Sequence, residues 1–286
     1  MNVNSAPGPD GLRASIIKDY IDELIYPIMK IWRLSLDTGC LPEGIAMAVI
    51  TPIYKGGGAC RSLAASYRPV ALTNHLTKIF ERVLRKHLVG YLEKHNLMNN
   101  TQHGFRSGRS TLSQLLFYYD SILDMLEDGA DVDSIYLDFA KAFDKVDHGV
   151  LLKKLESLRI GGKILNWIAS FLKKRQQVVR VGKYYSEPED VLSGVPQGSV
   201  LGPLLFLVLM LDIDSGIVES VLSSFADDTR IWKAIKALID SVKMQQELSG
   251  VYSWSSDNNS SFNDTKFEFM GFGSKDRGVT YYTAVI

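Results

Sequence analysis

Two hydrophobic periods alternate along this chain, and the switches between them mark its elements. From Leu12 to Leu36, apolar Ile16, Ile17, Leu24, Ile28, Ile31 and Trp32 recur at helical spacing, which predicts a helix that Pro27 kinks or divides. A helix is predicted over Asn74–Leu97, with Leu76, Ile79, Val83, Leu84, Leu88 and Leu92 on or near one face. Another starts after Ser110 as N-cap and stops at Gly129. Further helices are expected from near His148 to before Gly161, over Lys163–Arg175, and in the first part of Ala237–Asn258. Strands are predicted at Ala46–Lys55, where Pro52 favours an edge or a bulge, at Ser134–Phe139, and within Lys266–Gly273. Gln176–Ser186 reads as a β-ribbon, and Glu219–Ile235 as strand, tight turn, strand. The most apolar run, Val200–Leu211, has 12 residues, too few to span a bilayer, and reads as a buried helix with Ser199 as its N-cap.

Strands separated by helices, with a hairpin among them, predict an α+β fold with an antiparallel sheet packed against helices. No GxGxxG follows a strand and no GxxxxGK[ST] occurs, so the glycines of "YKGGGAC" do not form a phosphate loop. The length of 286 residues suits one large domain or two closely joined ones. Cys40 and Cys60 form neither a metal pattern nor a disulfide framework, which fits a reducing compartment.

Formal net charge is zero, but the charges are segregated. Thr51–Ser110 holds ten Lys/Arg against two Asp/Glu, and Lys173–Lys183 holds five basic residues and no acid. Asp120–Asp147 holds nine acids against Lys141 and Lys145. A basic front and an acidic centre suit a polyanion path leading to a cation site; clustering on a solvated surface would give the same counts.

The acids that focus this question are Asp227 and Asp228 in "SSFADDTRIW" and Asp138 near the end of its strand. A pair of aspartates in a hairpin reads either as a polar turn or as half of a metal site. If the two strands are neighbours, Asp138 and Asp227 converge, and carboxylates so placed repel unless cations neutralise them. Hard oxygen donors of this kind suit Mg²⁺, and two such ions support in-line displacement at phosphorus.

"YLDFAKAFDKVDHGVLLKKL", "SGVPQGSVLGPLLF" and "FADDT" occur in that order. With "PGPDGL", "SYRPVALTNHLTKIFERVL", "QHGFRSGRST" and "FNDTKFEFMGFG", they give a collinear set spanning nearly the whole chain. This set resembles the reverse transcriptase domain of non-LTR (LINE-like) retrotransposons, of the jockey and CR1-like types. The resemblance implies the fingers and palm of a polymerase right hand, mainly fingers over 1–133 and mainly palm over 134–286, interleaved, with the thumb absent or incomplete. It implies RNA-directed DNA polymerisation on an RNA template and DNA primer with dNTPs, using two Mg²⁺ (Mn²⁺ as a substitute). Asp138, Asp227 and Asp228 are then the catalytic metal ligands, Asp228 the less direct one, and Lys266 attends the leaving group. Phe143 resembles the wall beneath the incoming sugar that excludes a 2′-OH. Gln197 and Gly198 resemble a loop contacting nucleotide and template, and Lys55, Arg68, Arg106 and Arg109 are the candidate phosphate contacts. Leu211 stands where this family usually has asparagine, and Phe267 where it commonly has cysteine. Alternative readings are a catalytically silent nucleic-acid-binding fragment and a retron or group II intron-type enzyme. No membrane partner is expected, and the setting implied is intracellular, plausibly nuclear.

Overall fold

The computed structural model describes residues 3–42, 44–173, 175–273 and 278–283. It divides into two compact units, which the chain visits alternately: one from residues 3–95 and 148–205, the other from 96–147 and 206–283.

In the first unit, helices α1 (Ala14–Asp19) and α2 (Ile21–Thr38) precede strands β1 (Met47–Tyr54) and β2 (Tyr67–Leu72) and helix α3 (His75–Lys94). The predicted break falls at Tyr20 rather than Pro27. Pro27 lies inside α2, and both it and Glu23 are exposed, so the carbonyl that the ring leaves without a donor is on the wet side. Strand β1 is flanked by β2 on one side and by β4 (Gln176–Val181) on the other, but the β4 pairing ends at Ile50. Pro52 therefore sits where β1 has a strand on one side only, opposite Pro69.

The buried stripe of α3 is Phe80, Leu84, Leu88 and Leu92, a clean i, i+4 row; Val83 is turned to solvent. Helices α5 (His148–Ser157) and α6 (Gly162–Lys173) complete this core. Trp167 of α6 and Trp32 of α2 meet on Phe80, the latter stacked at 4.5 Å between ring centroids. The Trp167 indole donates to Ser35 Oγ, which satisfies its one polar atom.

The second unit is built on the antiparallel sheet β7–β8–β3–β9. Its strands are β3 (Asp131–Leu137), β7 (Val221–Phe225), β8 (Asp228–Ile235) and β9 (Glu268–Phe272); the short β5 (Tyr184–Tyr185) and β6 (Glu189–Asp190) belong to the other sheet. Helix α4 (Thr111–Glu127) is closed by a Ser110–Ser113 capping box and ends at Gly129, whose φ of 78° is the left-handed stop that the sequence implied. Tyr118 and Ile122 of α4 pack on Val132 and Trp232 of the sheet. Helix α7 (Gly202–Leu209) starts with Gly202 N–H donating to Ser199 Oγ, as the N-cap reading requires.

Helix α8 (Leu238–Asp257) is longer than the sequence suggested. Its serine-rich end stays helical because Leu248, Val251 and Trp254 are buried there, while Ser255 and Ser256 bond back to the Tyr252 carbonyl. Among the described residues, no helix is long and apolar enough to cross a membrane.

Candidate active site

Strand β3 begins at Asp131, three residues before the predicted start, and ends at Leu137. It pairs directly with β8, the last register being Leu137 with Thr229. Asp138 is thus one residue beyond the ladder, level with Asp228 across it. The backbone of Asp138 is held by Asn263, whose N–H donates to its carbonyl at 2.7 Å, and its side chain is buried.

Asp227 occupies the two-residue turn Ala226–Asp227 between β7 and β8, which closes on the pair Phe225 and Asp228. Ala226 has φ 55°, a conformation that favours glycine at the first position of a tight hairpin turn. The segment before α4 explains how an alanine is kept there. The Gln102 side chain accepts from Ala226 N–H at 2.8 Å and donates to Ala226 C=O at 3.1 Å, with Gln102 itself buried. The same Gln102 oxygen accepts from Gly104 N–H, and a Cβ on Gly104 would lie 2.3 Å from Ala226 N. Sequence reasoning did not single out Gln102. Its partner is far along the chain, so no local periodicity could reveal the clamp.

The electrostatics gather on the three aspartates. Burial pushes the Asp227 carboxyl above the usual range, and the negative charges of Asp228 and Asp138 push it further. Lys266, in a short 3₁₀ turn over Asp264–Lys266, donates to Asp138 Oδ2 at 2.6 Å. That hydrogen bond, and then the charges of Asp138, Asp228 and Asp227, raise the ammonium of Lys266 above its ordinary value. A single cation is therefore already drawn to three carboxylates. Asp228 is exposed, and its Oδ1 accepts from the Tyr136 hydroxyl.

The donor chemistry suits a hard divalent ion, which takes oxygen ligands and ordinarily needs only one or two carboxylates alongside water and phosphate. As the side chains stand, no three Asp, Glu, His or Cys groups among the described residues converge into a complete ligand set. Asp138 and Asp227 are the acids that would hold such an ion, the first exchanging the Lys266 ammonium for it.

Phe143 is half-buried, stacked on Phe206 at 4.6 Å and edge-on to Phe105 at 5.9 Å. Arg106 and Arg109 belong to the same unit, but their guanidinium groups are engaged locally: Arg106 donates to the Asn99 carbonyl, and Arg109 to the Asn100 and Gln102 carbonyls. They tether the loop that carries Gln102. Leu211 stands in place of the usual asparagine, and its carbonyl accepts from Asn99 Nδ2.

The other four candidates lie in the first unit. Lys55 donates to the Ala65 carbonyl, and Arg68 is exposed on β2. Gln197 C=O accepts from Ala71 N–H at 2.7 Å, and a Cβ on Gly198, at φ 116°, would stand 2.6 Å from the Ala71 carbonyl. The glycine therefore lets this loop lie against β2.

The sequence model for "Reverse transcriptase (RNA-dependent DNA polymerase)" matches residues 53–282. The chain belongs to the reverse transcriptase family. Among its relatives is the probable RNA-directed DNA polymerase from transposon X-element of Drosophila melanogaster, 30% identical over 96% of this chain and 30% of the relative. The RNA-directed DNA polymerase from mobile element jockey of Drosophila funebris is 30% identical over 96% of this chain and 31% of its own length. The chain thus spans about three tenths of the curated relatives it matches. The non-LTR assignment stands on these elements. In fold, this chain is similar to apo telomerase of Candida tropicalis truncated from its C-terminal domain, with a TM-score of 0.60 at 13% identity, over 82% of this chain and 52% of that one.

Proposed function

We propose that this chain performs RNA-directed DNA polymerisation, adding dNTPs to a primer 3′-OH by nucleotidyl transfer. One observation carries the reading: β3 and β8 are paired neighbours, so the buried Asp138 stands level with a hairpin that presents Asp227 and Asp228, and the Lys266 ammonium is already bound to Asp138. Divalent ions held chiefly by Asp138 and Asp227 would lower the barrier to 3′-OH attack on the α-phosphate and stabilise the departing pyrophosphate.

The chain's own groups have separable parts. Asp138 is fixed by its buried backbone, and Asp227 by the Gln102 clamp on the preceding residue. Lys266, displaced from Asp138, is left with a free ammonium to steady charge on the leaving group. Phe143, set by Phe206 and Phe105, offers a flat wall that leaves no room for a 2′-OH. Gln197, Gly198, Lys55 and Arg68 are proposed nucleotide and template contacts. Arg106 and Arg109 act through the loop they tether. The partners proposed are an RNA template, a DNA primer and dNTPs, with two Mg²⁺ as cofactor and Mn²⁺ as substitute, in an intracellular, nuclear setting.

Primer extension on poly(rA)/oligo(dT) with dTTP and Mg²⁺ tests this. Asp227→Asn is expected to lower extension by about three orders of magnitude, ~4 kcal/mol in the barrier. Equal extension by the two proteins would discard the site, and binding of primer–template with extension by neither would favour a silent nucleic-acid-binding module.

A further inference from the structure

Asp228 is the most exposed of the three acids, and its hydrogen bond to Tyr136 crosses strands on the diagonal. Tyr136 is registered with Arg230, two residues beyond Asp228 on β8. An aromatic side chain is long enough to reach back over that distance, provided something fixes its ring. Arg230 does so. Its guanidinium carbon lies 5.6 Å from the Tyr136 ring centroid and 4.9 Å from that of Tyr118. Tyr118 is buried under α4 and anchored in turn, its hydroxyl donating to Ser134 Oγ at 2.8 Å.

The arginine is unusual in its own bonding. Its Nη1 is buried and has no hydrogen-bond partner among the described residues. Buried donors are rarely left so, and here the two tyrosine faces supply the attraction that a carboxylate would ordinarily give. Packing alone would be served by phenylalanine at 136. The hydroxyl adds a donor, which Asp228 Oδ1 accepts. The row Tyr118, Arg230, Tyr136, Asp228 therefore runs from the core of the sheet to the hairpin acids.

We propose that Tyr136, braced by Arg230, is a positioning residue for Asp228: it ties one carboxylate oxygen and so fixes which oxygen is left for a divalent ion. This rests on the reading of the hairpin acids as the polymerase centre. Groups that orient metal ligands typically contribute 10–100-fold to affinity or activity.

The test is Mn²⁺ binding, followed by the paramagnetic resonance of the free ion, in wild type, Tyr136→Phe, Asp228→Asn and the double variant. Asp138→Asn/Asp227→Asn serves as blank, and thermal melts control for folding. Tyr136→Phe is expected to bind about 10-fold more weakly. In the Asp228→Asn background the same change should have no further effect, because its route is gone. Wild-type affinity in Tyr136→Phe, or an equal loss in both backgrounds, overturns the inference and leaves the site intact. A wild type no better than the blank overturns the polymerase reading and the inference with it.

Discussion

Glu81 and Asp227 are both carboxylates that burial pushes above their ordinary range, and their neighbours separate them. Glu81 is fully buried on α3 of the first unit. Its Oε2 accepts from Val200 N–H at 2.7 Å and Leu201 N–H at 2.8 Å, capping the approach to α7. The buried Arg175 lies within its field, the guanidinium brought down to about 10 by its own burial while Glu81 opposes that shift. Two donors on Oε2 and a nearby cation thus offset the charge of Glu81, whose Oε1 has no partner among the described residues. Asp227 faces two more acids, opposed by its own backbone N–H and the charge of Lys266. A perturbed carboxylate is therefore not by itself a mark of chemistry. The sign of the surroundings separates the two: backbone donors meet Glu81, and like charges meet Asp227.

The largest effect expected from breaking this contrast is at Glu81. Glu81→Ala leaves two backbone N–H groups without their acceptor and the buried Arg175 without the negative charge that opposes its burial, and should cost about 3–5 kcal/mol in denaturant unfolding. Glu81→Gln keeps one acceptor oxygen and should cost less. Neither should alter the Mn²⁺ affinity of the folded fraction. A Glu81→Gln variant with normal stability but no metal binding would erase the distinction.

Gln102 comes next. Gln102→Ala strips both bonds from Ala226, and unfolding should cost about 1–3 kcal/mol. Extension should fall by more, about 100-fold, because the turn carrying Asp227 is no longer fixed. Loss of extension only in proportion to lost folded protein would make the clamp purely structural.

The smallest effect is also the most specific. A carboxyl whose folded value lies above the unfolded one, about 3.9, stabilises at low pH and loses that contribution as pH rises through the folded value. Without divalent ions at neutral pH, Asp227→Asn should therefore melt slightly above wild type, the gap closing as pH falls towards about 4. Mg²⁺ should stabilise the wild type and leave the variant nearly unmoved. A variant that melts lower at every pH would show that Asp227 is held as Glu81 is.

The sequence made the hairpin readable because its information is local: apolar flanks, two adjacent aspartates at a tight turn, and an acid near the end of another apolar run. Gly129 and Ser199 were readable for the same reason. Glu81 was hidden among Arg82, Arg85 and Lys86, where a glutamate reads as half of a surface ion pair; its true partners are the amides of residues 200 and 201. Gln102 was hidden by a separation of 124 residues from Ala226. Arg106 and Arg109 were legible as cations, yet nothing in their spacing tells a phosphate from a neighbouring carbonyl. The charges of a site can be seen in the sequence, whereas what holds them still is contributed by distant amides.

The seven-residue β3 strand carries two messages in alternate letters. Val132, Ser134 and Tyr136 read towards α4 and the hairpin acids, with Asp138 as the next letter in that phase. Asp133, bonded by Tyr281, shares the opposite phase with the buried Ile135 and Leu137. The site is thus encoded in a frame of two, and it has a frame's weakness. Single substitutions blur one letter, but one residue inserted between Leu137 and Asp138 would move the carboxylate into the opposite phase, onto the face of Ile135 and Leu137, with every side chain still present.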